Sequence, residues 1–296
     1  MTIDESTLSI SASDDKPIRL HCWKGSAPTR GTVQIAHGMG EHALRYRPIA
    51  HAFVEAGYSV YASDHRGHGE LAARANQLGD FGPGGFPALV DDMVAVTKFA
   101  REAESGKPLV LLGHSMGSFA SQLYLLDHSR LLDGVALSGS TALDLLGAAA
   151  MSGRWRLEDL NAAFEPARTP FDWLSRDPAV VDAYIADPLC GFNVTPESYG
   201  SLFSVAPRLA DPTHITRIRH DLPTFVFAGE LDPVNAKLTW LRPLIDRYRE
   251  AGLIDVSSHI YGGARHEVLN EINRAEVVAN LVAWIDRVTG AKKVGS

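Results

Sequence analysis

Hydrophobic and polar positions follow two patterns along most of this chain. Short segments rich in apolar residues lie between Gly, Pro or Asp residues, which is typical of strands. In longer segments apolar residues recur every three to four positions, which predicts amphipathic helices. The predicted strands cover residues 17–23, 31–36, 58–63, 109–112, 134–138, 223–228 and 255–261. The predicted helices cover residues 46–56, 87–104, 116–127, 236–251 and 275–288.

Strands and helices alternate through most of this order, which predicts a mostly parallel central sheet with helices on both faces. The alternation stops after residue 139, where a proline-rich segment of short helical pieces begins. That segment is too long for an ordinary loop and predicts an inserted helical cap at residues 140–215. Residues 1–139 and 216–296 then form an α/β core. The first 15 residues are polar and are expected to be frayed.

Gly-His-Ser-Met-Gly at residues 113–117 joins a predicted strand to a predicted helix. In this context the pattern Gly-x-Ser-x-Gly predicts a sharp turn that exposes the Ser115 hydroxyl. Gly113 and Gly117 are needed if a Cβ at either position would clash with nearby backbone. The pattern alone is weak, because it occurs by chance in chains rich in Gly and Ser. It becomes a candidate nucleophile only if other parts of the sequence agree.

A serine nucleophile needs a histidine base, and the histidine needs a carboxylate that fixes its tautomer. In parallel α/β sheets, functional groups gather at the carboxyl ends of strands. His266 follows the last predicted strand and is the candidate base. Glu230 and Asp232 follow the strand at 223–228, and we favour Asp232 because it closes a Gly-x-x-Asp turn. A plain turn or helix cap at Asp232-Pro233 is the alternative.

An acyl-transfer site also needs donors for the oxyanion. The helix that begins at Met116 offers its first backbone N–H, and the loop after the strand at 31–36 offers a second. That loop contains His37-Gly38-Met39-Gly40, so the amides of Met39 and Met116 form the predicted oxyanion hole. A tight turn that only requires the two glycines is the alternative.

Composition narrows the classes of function. The chain has 296 residues, a formal charge of −7, 45% hydrophobic and 21% charged residues, and no basic cluster. These values fit an ordinary globular protein and argue against nucleic acid or an anionic membrane as a partner. No apolar run is long enough to span a bilayer, and the polar start is not a secretory signal. Cys22 and Cys190 are expected to be free thiols, which favours the cytoplasm. The oligomeric state stays open.

Two other histidine-rich segments do not match known metal motifs. His37-x-x-x-Glu41-His42 lacks the spacing of the zinc hydrolase signatures. In 64–69, Gly-rich turns are expected to carry the histidine side chains in different directions. Residues 38–40 lack the third glycine of a dinucleotide fingerprint. We therefore predict no catalytic metal and no cofactor.

Taken together, the motifs resemble the monoacylglycerol lipase and lysophospholipase branch of the α/β-hydrolases, which also includes serine aminopeptidases. The resemblance rests on His37-Gly38-Met39-Gly40-Glu41-His42, Arg45-Tyr46, Asp64-His65-Arg66-Gly67-His68-Gly69 and Gly113-His114-Ser115-Met116-Gly117. It covers residues 17–290, and the chain order Ser115, Asp232, His266 agrees with it. The usual pattern is lost at residues 70–73, and the cap is the region where such relatives differ most.

The resemblance implies that Glu41 and Arg45 lie at a polar end of the pocket that takes a glycerol-like headgroup. Alternatively, the two side chains pair with neighbours and hold the oxyanion loop. We also expect His114, Leu143 and Leu146 to contact substrate, because the cap is rich in apolar residues that favour an acyl chain.

The predicted function is hydrolysis of carboxylic esters through an acyl-enzyme, with a monoacylglycerol or lysophospholipid as the leading substrate. A thioesterase, an amidase or aminopeptidase, and a perhydrolase could use the same three residues. A ligand receptor that has kept the hydrolase fold is the alternative from another class.

Overall fold

The computed structural model describes residues 2–290, and within them eight strands form one sheet in the order β1-β2-β4-β3-β5-β6-β7-β8. The strands are β1 (Ile3–Ser11), β2 (Pro17–Gly25), β3 (Gly31–Ala36), β4 (Tyr58–Ser63), β5 (Leu109–His114), β6 (Gly134–Ser138), β7 (Thr224–Gly229) and β8 (Val256–Tyr261). The β1-β2 and β2-β4 pairs are antiparallel, whereas all pairs from β4 to β8 are parallel. The predicted mostly parallel sheet is therefore confirmed.

The helices flank the sheet and fill the connection between β6 and β7. They are α1 (Arg47–Glu55), α2 (Gly69–Arg74), α3 (Gly85–Ala103), α4 (Met116–His128), α5 (Leu143–Met151), α6 (Pro178–Ala186), α7 (Pro196–Ser204), α8 (Ala206–Ala210), α9 (Pro212–Ile215), α10 (Leu241–Glu250) and α11 (Arg274–Val288). Short 3₁₀ turns cover Ala43–Tyr46, Ser129–Leu131, Leu157–Asp159, Ala162–Phe164, Pro233–Asn235 and Val268–Asn270.

Two hydrophobic cores lie on opposite faces of the sheet. Helices α1 and α11 pack on one face, and α3, α4 and α10 pack on the other. Neighbouring residues of the central strand β5 contribute to different cores, with Leu111 on one side and Val110 and Leu112 on the other. Because side chains alternate along a strand, a strand covered on both faces is apolar throughout. This explains the apolar run that predicted β5.

The expectation that the first 15 residues are frayed is wrong. Residues Ile3–Ser11 form β1 and pair with β2 along the whole strand. Most β1 side chains are exposed, which accounts for the polar sequence. An edge strand of this kind is held mainly by backbone hydrogen bonds, so its polar composition does not indicate disorder.

The predicted helix at 236–251 begins five residues late, at Leu241. Ala236, Lys237 and Leu238 all have positive φ values, which a helix does not allow. The Asn235 side-chain oxygen accepts the Leu238 N–H at 2.7 Å and stabilises this turn. Side-chain hydrogen bonds therefore shape the segment after β7. Its apolar spacing predicted a helix that is longer than the one observed.

Helices α5–α9 lie in the segment between β6 and β7. Helix α7 is tied to the start of α3 and to the segment before it, because Ser201 Oγ accepts the Phe86 N–H at 2.8 Å and Ser198 Oγ accepts the Phe81 N–H at 2.9 Å. Among residues 2–290, no helix combines the length and apolar character that a membrane span requires.

Candidate active site

Ser115 lies at the turn between β5 and α4, as the sequence predicts. Its backbone has φ 52° and ψ −122°, a conformation that is rare for any residue other than Gly. The Ser115 N–H donates to the Ser138 carbonyl at 2.9 Å and so fixes the turn to β6. Strained backbone that is held by its surroundings is common at functional sites, because it positions a reacting group.

The two flanking glycines are required sterically. A Cβ at Gly113 would lie 2.4 Å from the Ser121 hydroxyl, and one at Gly117 would lie 2.1 Å from the Ala36 carbonyl oxygen. Both distances are far below van der Waals contact. The predicted role of the glycines, to permit close backbone approach at the turn, is confirmed.

His266 and Asp232 form a buried pair on the loops that follow β8 and β7. The His266 Nδ1 lies 3.0 Å from Asp232 Oδ1, and both side chains are almost fully buried. Asp232 also accepts the Val234 N–H at 2.9 Å and the Asn235 side-chain amide at 3.3 Å. Asp232 therefore both caps a 3₁₀ turn and bonds His266. Its predicted role as partner of the histidine and the alternative role as a cap are compatible.

Glu230, the other candidate acid, bonds a backbone amide. Its carboxylate is exposed and accepts the Gly263 N–H at 2.9 Å. Asp232 rather than Glu230 is therefore the partner of His266.

The charge of Asp232 determines the protonation behaviour of His266. Burial alone would lower the pKa of His266, but the Asp232 charge and hydrogen bond outweigh burial and raise the pKa above its usual value of 6.5. An Nδ1–H that donates to Asp232 leaves the other ring nitrogen available to exchange a proton. The pair can therefore accept a proton and stabilise the imidazolium that results.

The amides of Met39 and Met116 are the predicted oxyanion donors. Both residues line the same cavity as Ser115 and His266. Within residues 2–290, neither amide donates a hydrogen bond to another protein group. Unpaired backbone N–H groups beside a nucleophile are available for a developing negative charge, which is the geometry of an oxyanion hole.

Glu41, Arg45 and Glu267, here called the carboxylate–arginine cluster, connect the oxyanion loop to the His266 loop. Glu41 Oε1 accepts the Gly38 N–H at 2.5 Å, and Glu41 Oε2 accepts Arg45 Nη1 at 2.5 Å. The Arg45 guanidinium donates both to Glu267 Oε1 at 2.7 Å and to Glu267 Oε2 at 2.8 Å. A bidentate arginine–carboxylate pair fixes orientation as well as distance, so the cluster positions the two loops relative to each other.

The cluster stays ionised despite its burial. Burial alone would raise the pKa of Glu267, but the charge and hydrogen bonds of Arg45 lower it to about 2. The pKa of Arg45 moves up against the effect of burial, because Glu267 and Glu41 both stabilise its charge. Of the two readings of Glu41 and Arg45, the structure therefore supports pairing with neighbours.

His37, His65 and His68 lie together below the oxyanion loop. The His37 ring centroid lies 4.2 Å from that of His65 and 5.1 Å from that of His68, whereas the His65 and His68 rings are 6.4 Å apart and nearly perpendicular. Two of the three rings bond the backbone, since His37 Nε2 accepts the His65 N–H at 2.9 Å and His68 Nε2 accepts the Gly40 N–H at 3.2 Å. Burial, the largest cause, lowers the pKa of each histidine to about 3. These neutral rings support the loop.

A cavity of about 590 Å³ is lined by Ser115 and by residues of the segment from α5 to α7. Its polar floor consists of residues 38–41, 114–116 and 266–267. Its apolar wall is formed by residues of the segment between β6 and β7, namely Leu146, Trp155, Phe171, Trp173, Leu202 and Phe203. The arrangement places a hydrophobic space next to the candidate nucleophile Ser115, the candidate base His266 and two free amides.

Three of the five predicted substrate contacts, Glu41, His114 and Leu146, line this cavity. Leu143 does not, because its side chain is fully buried in the core at the start of α5. Arg45 does not, because its guanidinium is bound between Glu41 and Glu267.

The sequence reasoning missed Glu267 and Tyr184. Glu267 is adjacent to His266, and this adjacency was a usable signal. Tyr184 donates its hydroxyl to the Gly40 carbonyl at 2.9 Å from the other side of the cavity. Nothing in the local sequence of α6 indicates that contact.

Comparison with known proteins assigns the family. A family model described as "Serine aminopeptidase, S33" matches residues 27–273, which is most of the chain. The chain belongs to this family. The chain is also similar to the monoacylglycerol lipase of Mycolicibacterium smegmatis, with 30% identity over 270 residues that covers 89% of this chain and 90% of the relative.

Solved structures agree with the S33 assignment. A thermostable carboxyl esterase from Bacillus coagulans, solved with glycerol, is 27% identical with a TM-score of 0.83 and covers 98% of this chain and 99% of its own. A lipase in an open form is 25% identical with a TM-score of 0.85 and covers 97% and 99%. The predicted fold and branch are confirmed: this S33 protein is an α/β-hydrolase of the monoacylglycerol lipase type and a carboxylic-ester hydrolase.

Proposed function

We propose that this ester hydrolase cleaves monoacylglycerols or similar single-chain lipid esters through an acyl-enzyme on Ser115. The observation that carries the proposal is convergence in one cavity. The Ser115 turn, the His266–Asp232 pair and the free amides of Met39 and Met116 all meet below an apolar wall. Each group is of the type that ester hydrolysis by a serine nucleophile requires.

In the proposed reaction His266 takes the Ser115 proton while the serine oxygen attacks the ester carbonyl. The carbonyl oxygen becomes an oxyanion and receives the Met39 and Met116 N–H groups. His266 then donates its proton to the leaving alcohol, and the acyl group stays on Ser115. Water attacks the acyl-enzyme with His266 as base, and release of the acid regenerates the serine.

The cavity supports a lipid substrate. An acyl chain in contact with the apolar wall gains about 0.8 kcal/mol for each buried CH₂. The floor beside Glu41 is polar and suits a small hydroxylated alcohol. We treat residues 140–215 as a cap that sets the chain length, because α5–α7 provide most of this wall.

The free thiols support a site of action in the cytoplasm. Cys22 and Cys190 are both unpaired, as expected in a reducing compartment.

Hydrolysis assays test the proposal. Wild type, Ser115→Ala and the control Ser204→Ala, which changes an exposed serine in α7, are assayed on p-nitrophenyl esters from C2 to C16 and on monoacylglycerols. We expect Ser115→Ala to lose at least about 10³-fold in kcat/KM, and the control to match wild type. Ester hydrolysis retained by Ser115→Ala would refute the role of Ser115. A folded wild type that is active on short esters but not on monoacylglycerols would refute the proposed substrate.

A further inference from the structure

A second group of side chains with ligand chemistry lies outside the proposed catalytic site. It consists of His42, Asp187 and Cys190, whose potential ligand atoms all lie within 4.8 Å of one another. His42 directly follows the oxyanion loop, whereas Asp187 and Cys190 follow α6 on the other side of the cavity. The three residues are far apart in sequence, so the fold brings them together.

The group is already fixed in place. His42 Nε2 lies 2.8 Å from Asp187 Oδ2, and the other Asp187 oxygen accepts the Leu189 N–H at 2.8 Å. The Cys190 N–H donates to the Asp187 carbonyl at 3.0 Å, which closes a turn that holds the thiol beside the carboxylate. His42 is buried and the other two are partly exposed, so an ion can enter from solvent.

The local charge favours a cation. The charged groups that act on Cys190 are Arg45, Asp187, Glu41 and Glu267. With three carboxylates and one guanidinium, the surroundings carry two excess negative charges. A bound cation would favour the thiolate form of Cys190.

We propose that His42, Asp187 and Cys190 bind a divalent cation of the Zn²⁺ class. One nitrogen, one carboxylate oxygen and one sulfur are ligands that Zn²⁺ accepts, and water can occupy a fourth position. Binding forms the metal–sulfur bond and releases the thiol proton to solvent. The Nε2 proton of His42 moves to Nδ1, which gives Nε2 a lone pair for the metal.

This ion would join the cap to the oxyanion loop. The Gly191 N–H, next to Cys190, and the Tyr184 hydroxyl both donate to the Gly40 carbonyl, each at 2.9 Å. Gly40 is adjacent to Met39, whose amide is a proposed oxyanion donor. The site is therefore structural or regulatory, because none of its three ligands lines the cavity that contains Ser115 and His266.

Titration with Co²⁺, a spectroscopic substitute for Zn²⁺, tests the site without measuring activity. Wild type, Cys190→Ser, Asp187→Asn and the control Cys22→Ser, which changes the buried thiol of β2, are titrated while thiolate-to-cobalt absorption is recorded. We expect one Co²⁺ per chain with a thiolate band in wild type and in Cys22→Ser. Cys190→Ser should lose the band, and either ligand variant should bind on the order of 100-fold more weakly.

Thermal unfolding with Zn²⁺ gives a second measurement. Zn²⁺ should raise the Tm of wild type and of Cys22→Ser, and should leave that of Cys190→Ser and Asp187→Asn unchanged. Wild type without a thiolate band, or ligand variants that bind Co²⁺ as tightly as wild type, would overturn the proposal.

Discussion

The polar floor and the apolar wall of the cavity are built in different ways. Each floor group has specific partners: Glu41 bonds Gly38 and Arg45, and Asp232 bonds His266. The wall consists mainly of apolar side chains such as Leu146, Phe171 and Leu202, which have no hydrogen bonds to satisfy. Hydrogen bonds fix direction and distance, whereas apolar contacts constrain mainly volume. The floor is therefore suited to chemistry that requires fixed geometry, and the wall to a choice of chain length.

The largest effect is expected from Asp232→Asn, which removes the carboxylate that bonds His266 in the polar floor. An asparagine amide favours the wrong tautomer of His266, so kcat/KM should fall about 10⁴-fold at neutral pH. In wild type, activity rises with pH as His266 loses its proton, and the midpoint should lie above 6.5 because Asp232 raises its pKa. Removal of that charge should move the midpoint to lower pH.

Initial rates between pH 5 and 9 measure both consequences of Asp232→Asn. The control is Glu230→Gln, which changes the exposed acid of the same turn and should match wild type. A variant with an unchanged midpoint would contradict the proposed pairing.

The second prediction concerns the stability of the protein at acid pH, which depends on the buried histidines in and below the polar floor. His37, His65, His68 and His114 have pKa values lowered to about 3, first of all by burial. Below pH 6.5 the unfolded chain binds protons that the folded chain does not. The free energy of unfolding should therefore fall as pH falls from 6.5 towards 3, by up to about 1.4 kcal/mol per pH unit for each histidine.

Urea unfolding at several pH values between 7.5 and 5 measures this slope. His65→Phe removes one of the four groups and keeps a ring beside His37. The pH dependence of its unfolding free energy should therefore correspond to about one proton fewer than that of wild type. A slope equal to that of wild type would show that His65 does not stay neutral in the folded protein.

The third prediction separates positioning of the oxyanion loop from binding of a headgroup. In Glu41→Gln an amide replaces the oxygen that accepts from Arg45 or Gly38, so the loop loses one fixed contact. Misplacement of the Met39 amide should lower kcat, by up to about 100-fold, with little change in KM. Steady-state kinetics on a monoacylglycerol give the two constants, and Glu55→Gln, at the exposed end of α1, is the control. A raised KM with kcat retained would instead favour contact between Glu41 and the headgroup.

The smallest effect is expected at the wall. Leu146→Phe adds volume to the cavity lining and should shorten the preferred acyl chain. Each CH₂ that no longer fits should cost about fourfold in kcat/KM, which corresponds to ~0.8 kcal/mol. The chain-length series of p-nitrophenyl esters measures the shift. Met151→Ala, on an exposed side chain of the same helix, should leave the series unchanged. An unchanged series for Leu146→Phe would remove α5 from the acyl site.

The same contrast explains what could be predicted from sequence. Ser115, Asp232 and His266 each follow a strand of the parallel part of the sheet, so strand pattern and local motif were enough to predict that they lie near one another. The Arg45–Glu267 pair joins residues 222 positions apart, and no local pattern reports such a pair. Leu143 and Leu146 are both apolar residues of α5, yet only Leu146 lines the cavity. The direction of a side chain in the cap depends on tertiary packing, which composition does not specify.

We propose that Ser115 is the catalytic nucleophile and that it acts in a cavity with a fixed polar floor. The most direct measurement is intact-protein and peptide mass spectrometry after reaction with a fluorophosphonate, which modifies activated serines covalently. The account predicts one adduct per chain, located on Ser115 in wild type and absent in Ser115→Ala. An adduct of equal yield on Ser115→Ala, or a wild type that hydrolyses esters without forming an adduct at Ser115, would contradict it.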